Sequence, residues 1–177
     1  MTSEWILIVL TVLLVGAAVQ DMVSMRISNL FSIAVIALFG LWIAYKGFPD
    51  NGWENGVHFA IALVAGMGLF AMGWIGGGDA KLYASCALWF DLAAAPVLVF
   101  CITMAGLILL LAMLVTRRFR KRRIRPGPFE EPDAKKSLQM PYGVAIAAGS
   151  IFTIYWIGVN PGTIAVFDPT AVSIPVN

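Results

Sequence analysis

Long apolar runs, not alternating with polar residues, are what most restrict this chain. They cover Trp5 to Val19, about Leu30 to Tyr45, about Val57 to Ile75, Leu82 to Thr116 and about Tyr142 to Val159. A hydrocarbon core ~30 Å thick asks ~20 such residues of each spanning helix. Hydrophobic residues make up 60% of the 177 and charged residues only 12%, where a soluble domain carries about a quarter charged. The expected fold is all-α, a polytopic integral membrane helical bundle. It should form a single membrane-embedded domain over residues 1–177, with no soluble module.

The number of spans follows from length. The first run ends in Gly16-Ala17-Ala18-Val19-Gln20, as a signal peptide does, but Met1-Thr2-Ser3-Glu4 lacks the positive charge of one. A retained spanning helix is expected. The polar segment Lys46 to Asn55, with Pro49, Asp50, Gly52 and Glu54, reads as a loop. The 35 residues from Leu82 to Thr116 would make one helix ~52 Å long. That is too long for one crossing, so two crossings turning near Asp91 to Pro96 are expected. The first would be short unless it begins near Asp79. The tail, with Pro161, Gly162 and Asp168, shows no helical pattern. The total is about six transmembrane helices.

Charge checks the count. Seven of the twelve Lys and Arg residues fall within Arg117 to Arg125. Such a stretch would suggest nucleic acid in a soluble protein. Directly after a span it reads as a cytoplasmic topology anchor, in a basic loop over about 117–140, with anionic lipid as a secondary partner. With six spans and an external N-terminus, Arg26, Lys81, the basic stretch, Lys135 and Lys136 share one side. Eleven of the twelve positive charges then agree, leaving Lys46 on the other face. The same count puts both chain ends outside. It also brings Asp21, ending the first span, and Asp79, opening the fourth, to the cytoplasmic face.

A carboxylate beside hydrocarbon is costly and by default a functional candidate. Asp91 and Asp168 read as wetted helix or chain termini, because nothing around them suggests chemistry. Asp79 differs in its setting, Gly76-Gly77-Gly78-Asp79-Ala80-Lys81-Leu82. Three glycines weaken a helix but permit unusual backbone shapes and close approach of another segment. The bland alternative is a flexible turn or a small-residue packing patch. Two neighbouring carboxylates resist double ionisation, retain one proton between them, and can hydrolyse a peptide without a metal. No cofactor is expected. Cys86 and Cys101 lie in apolar runs with no zinc spacing and read as small buried hydrophobes. His58, the only histidine, reads as interfacial and on the face opposite the aspartates.

Three segments together resemble the type IV prepilin peptidases, membrane aspartyl proteases of the GxGD kind, and their short Flp-type (tight-adherence) branch above all. They are Asp21-Met22-Val23-Ser24-Met25-Arg26-Ile27-Ser28-Asn29, the Gly76 to Leu82 segment, and Met140-Pro141-Tyr142-Gly143-Val144-Ala145-Ile146-Ala147. The resemblance implies that Asp21 and Asp79 are catalytic. It also implies that the substrate is a prepilin or pseudopilin with a basic leader and a hydrophobic segment, cut at the cytoplasmic face of the bacterial inner membrane. Gly76, Gly78, Lys81, Asn29, Pro141, Tyr142 and Gly143 are candidates for supporting or substrate-binding roles. Lys81 reads either as a charge acting on a carboxylate or as an interfacial anchor, and Tyr142 fits an aromatic belt equally well. Ser28 stands where the family often has Pro. The cysteine-rich insert of the longer, methylating enzymes is missing, so methyl transfer is not expected. Two other classes remain open on the residues: a small proton-coupled transporter relaying protons through Asp21 and Asp79, and a noncatalytic pilus-assembly membrane subunit. Membrane lipid is an expected partner and nucleic acid is not; oligomeric state is left undetermined.

Overall fold

The computed structural model describes residues 4–48, 52–123 and 140–157. Among these residues the chain is six helices and no strands: α1 (Glu4–Ser24), α2 (Asn29–Lys46), α3 (Gly52–Ala71), α4 (Gly77–Ala87), α5 (Ala95–Arg123) and α6 (Tyr142–Ile157). Four of them, α1, α2, α3 and α5, are long and apolar enough to cross a bilayer. The helical membrane bundle expected from the apolar runs is therefore present. Pro49, Asp50, Lys135, Lys136, Pro161, Gly162 and Asp168 lie outside the described residues.

Several boundaries differ from the sequence reading. Gly52 to Asn55, expected in a loop, are the first turn of α3, and Lys46 ends α2. At its other end α3 stops at Ala71, short of Ile75. Gly73 there takes φ +76°, its N–H reaches Phe70 O (2.9 Å), and Trp74 N–H reaches Leu69 O (3.0 Å). That pair of bonds is a Schellman cap, which needs a left-handed residue at Gly73's position. Apolar Met72, Trp74 and Ile75 had concealed the signal. The basic stretch is no loop at its start, since α5 continues to Arg123.

The largest departure is α4. It starts five residues before Leu82 and has 11 residues, ~16 Å of rise, about half a hydrocarbon thickness. The chain then leaves helical geometry over residues 88–94. Non-helical backbone at such depth is tolerated only where protein satisfies its polar groups. Asn55 Nδ2 donates to Leu88 O (3.0 Å), His58 Nδ1 lies 3.1 Å from Phe90 O, and Asp91 Oδ1 accepts from Ala94 N–H (2.9 Å). Asn55, His58 and Asp91 are all buried. His58 is thus enclosed by protein, and Asp91 is not a wetted terminus: both hold the broken segment. Trp89 is buried beside them, donating Nε1–H to Val35 O (3.3 Å) with its ring edge-on to Phe39. Cys86 is fully buried and Cys101 half-buried; both are free thiols.

α4 packs on α2, α3 and α6, while α6 packs on α1 and α5. Small residues set the closest approaches. A Cβ on Gly149 of α6 would fall 2.5 Å from Ile102 Cα and 2.6 Å from Ile102 N of α5. Backbone cannot yield as a flexible side chain does, so Gly149→Ala must part α5 from α6. We expect it to lower stability by about 1–3 kcal/mol, read as a lower melting temperature of the protein in detergent. An unchanged melting temperature would contradict this packing.

Candidate functional site

Three helix ends meet at one place: the C-terminus of α1, the N-terminus of α4 and the N-terminus of α6. Asp21 lies in the last turn of α1 and is 5% exposed. Its Oδ2 accepts the Gly143 N–H at 2.8 Å. The first amides of a helix have no partner within it and carry the positive end of its dipole. Asp21 therefore caps α6 from another helix, across 122 positions of sequence. Gly143 is buried, and a Cβ on it would stand 2.9 Å from Asp21 Oδ2 and 2.5 Å from Ile27 Cδ1. Only glycine leaves room for both.

Asp79 occupies the first turn of α4, whose N-cap is Gly76. None of the three glycines before it has a positive φ, so the unusual backbone shape they could have supplied is not used. Close approach is. A Cβ would meet Asp79 Oδ2 at 2.7 Å from Gly76, the Phe70 ring at 3.3 Å from Gly77, and Ile27 at 3.2 Å from Gly78. Asp79 is half-buried, its Oδ1 is cut off from water, and that oxygen has no hydrogen-bond partner. A buried polar atom left so is uncommon and calls for an explanation. Both aspartates border Ile27: Ile27 and Asp21 Oδ2 flank Gly143, and Ile27 also packs on Gly78, the residue before Asp79. The two aspartates are thus brought to the two sides of one isoleucine and held in different ways, one bonded to an amide and one with an unpartnered oxygen.

The loop from α1 to α2 locks this arrangement. Met25 has φ +51°, and its N–H bonds Asp21 O at 2.8 Å, ending α1 with a left-handed residue. Ser28 is the N-cap of α2 at φ −67°, its Oγ accepting from Leu30 N–H. Proline's fixed φ would fit there, but the Ser28 N–H donates to Gln20 Oε1 at 2.8 Å, a bond proline cannot make. Serine at this position keeps the turn and adds a tie to the residue before Asp21. Ile27, which sequence reasoning passed over, is the wedge between Gly78 and Gly143. Its polar neighbours Arg26, Ser28 and Asn29 gave no sign of that role, because the two glycines it fills lie far away along the chain.

The remaining candidates divide. Pro141 is buried next to Gly143 at the start of α6. Tyr142 is partly exposed and lines a cavity of about 550 Å³ between α3, α4, α5 and α6. The cavity's walls are almost wholly apolar, with Leu69, Ile102, Leu107 and Ile146 among them, and Asp79 is the only carboxylate among the described residues on them. Lys81 lies elsewhere: its Nζ donates to Asn29 Oδ1 at 3.2 Å, tying α4 to the start of α2. Residues two apart on a helix do not share a face, so Asp79 and Lys81 serve different sides of α4.

The sequence profile of the type IV leader peptidase family matches residues 8–111, more than half of the chain. The matched range contains both aspartates and stops before α6. Neither the curated proteins nor the solved structures contain a match.

The wedge can be tested directly. The Gly78 Cβ position is 3.2 Å from Ile27 Cβ, near the ~3.5–4.5 Å that a disulfide spans. With Cys86 and Cys101 replaced by Ala, the double variant Ile27→Cys and Gly78→Cys is expected to cross-link under mild oxidation, detected by peptide mass spectrometry. Absence of a cross-link in folded protein would count against the convergence of loop and α4.

Proposed function

The chain belongs to the type IV leader peptidase family, and on that premise we propose that it is a membrane-embedded aspartyl endopeptidase removing the leader of Flp-like prepilins, with Asp21 and Asp79 as its catalytic pair. One observation carries this reading: a half-buried carboxylate with an unpartnered oxygen stands on the wall of an apolar cavity, with a second carboxylate across Ile27 from it. An apolar cavity suits the hydrophobic segment beside the leader, and the carboxylates suit the bond between segment and leader.

The chemistry needs one proton shared by the pair. The ionised member takes a proton from water as the water oxygen bonds to the peptide carbonyl carbon. The protonated member gives its proton to the carbonyl oxygen, forming a tetrahedral diol. Collapse of the diol breaks the C–N bond: the proton taken from water passes to the departing amine, and a diol hydroxyl gives its proton to the other, ionised carboxylate, which leaves a carboxylic acid and restores the singly protonated pair. The two groups titrate as a unit, so acid and base belong to the pair. In this reading Gly143 holds Asp21 in place, Gly76 and Gly78 allow Asp79 and Ile27 their positions, and Pro141 and Tyr142 open the helix that caps Asp21. The enzyme sits in the bacterial inner membrane with both termini outside and the aspartates at the cytoplasmic face. Eleven of twelve basic residues support that orientation.

Co-expression with a prepilin tests the pair. Asp21→Asn and Asp79→Asn are each expected to cut leader removal by at least about a hundredfold, scored by gel shift, while the protein still accumulates in the membrane. Normal processing by either variant would remove that residue from the mechanism.

The cavity has its own test. Leu107→Trp fills it from α5 without touching either aspartate. Cleavage of a prepilin carrying its hydrophobic segment is expected to slow about tenfold or more. Cleavage of a short soluble peptide around the same bond should change little. Equal slowing of both substrates would detach the cavity from substrate binding.

A further inference from the structure

α2 and α3 each pack on α4 but scarcely on each other, leaving a groove between them. It forms a cavity of about 260 Å³ separate from the one at Asp79. Ile33 and Ile36 of α2 and Phe59 and Leu63 of α3 make its walls. Its polar groups, Asn29, Ser32 and Lys81, gather at the first turn of α2. Ser32 is 5% exposed, and its buried Oγ has no partner. The first turn of α2 contains no acidic residue, and among the described residues no carboxylate lines the cavity. An ammonium group, an unused hydroxyl and the positive end of an 18-residue helix therefore face one small space without a counter-charge.

We propose that this groove binds one anionic phospholipid. Its phosphate sits on the Lys81 ammonium, the Ser32 hydroxyl and the Asn29 side-chain NH2, while an acyl chain follows Ile33, Ile36, Phe59 and Leu63. Lys81 engages only the carbonyl oxygen of Asn29, which leaves that NH2 to donate. Free phosphate would satisfy the polar end but gain nothing from the four apolar walls. A zwitterionic lipid would bring a cation to a site that has no carboxylate to receive it.

The site is read by binding, without reference to leader cleavage, so its failure is distinct from failure of the peptidase reading. Full-length protein in detergent, stripped of lipid, is titrated with phosphatidylglycerol, with phosphatidylcholine and with inorganic phosphate. Bound lipid is followed by native mass spectrometry and unfolding by thermal melting. Phosphatidylglycerol is expected to bind as one retained molecule and raise the melting temperature, with the other two doing neither. Lys81→Gln should weaken it about fivefold, Lys81→Arg should preserve it, and Ile36→Trp should exclude it by filling the groove. Unchanged phosphatidylglycerol binding in both Lys81→Gln and Ile36→Trp would overturn the site. Equal binding of phosphatidylcholine would overturn its charge selectivity, and equal stabilisation by phosphate would overturn the role of the walls.

Discussion

The bond from the Gly143 amide to the Asp21 carboxylate fixes most of what matters in this molecule. A carboxylate buried in an apolar bundle must be given donors, and a helix N-terminus must be given acceptors. Here each satisfies the other at 2.8 Å. That contact pins the end of α1 to the start of α6. Ile27, held by the α1–α2 loop, then sets the start of α4 against both. The glycines at 78 and 143 are absences of side chain that Ile27 and Asp21 occupy. Asp79 completes the group from α4 with one oxygen unsatisfied. One carboxylate held and the other left open is an asymmetry suited to a pair in which the two members must differ in protonation at each step.

The second constraint is the interruption after Ala87. A continuous helix from Gly77 through the following apolar run would satisfy its own backbone but bury no polar side chains. The chain instead breaks, and Asn55, His58 and Asp91 replace the lost intrahelical bonds. Leaving such a buried group without its partner costs about 1–3 kcal/mol, so these three residues are conditions for a short α4. The break gives α4 an 11-residue length and frees it from the geometry of a full crossing. Ala80 of α4 is then fully buried against Gly66 of α3, which settles the height at which Asp79 sits.

Apolar run length and charge asymmetry made the helical membrane bundle legible, because both are set by the thickness and the field of the bilayer. Asp79 stood out because a glycine run preceded it, and Asp21 because span counting put it on the same face. The α4 break was half legible: Asp91 and Pro96 marked a turn, but the helix start at Gly77 was masked by glycine's low helix propensity. The ties made by His58 and Asn55 were not legible because their partners are backbone carbonyls about 30 positions away, and no local pattern encodes such a partner. Ile27 was invisible for the same reason. A lone isoleucine between Arg26 and Ser28 looks identical whether it faces lipid or separates two glycines from distant helices.

The two faces of α4 bear on one another. Asp79 and Lys81 are two residues apart, ~200° around the helix at ~100° per residue. The acidic side thus looks into the cavity shared with α5 and α6, while the cationic side looks into the groove between α2 and α3. A short helix is held by its neighbours more than by its own length, so whatever fills one side bears on the other. An empty α2–α3 groove would leave the Ser32 hydroxyl without a partner and the Lys81 ammonium with Asn29 as its tie to α2. A phosphate and acyl chain seated there would brace α4 from behind while the apolar cavity in front stays open to a substrate segment. Opposite charges on opposite faces also keep the ammonium of Lys81 from pairing with Asp79. In the proposed mechanism that separation matters, because a fixed cation beside one carboxylate would favour its ionised form and work against the shared proton on which such a pair depends.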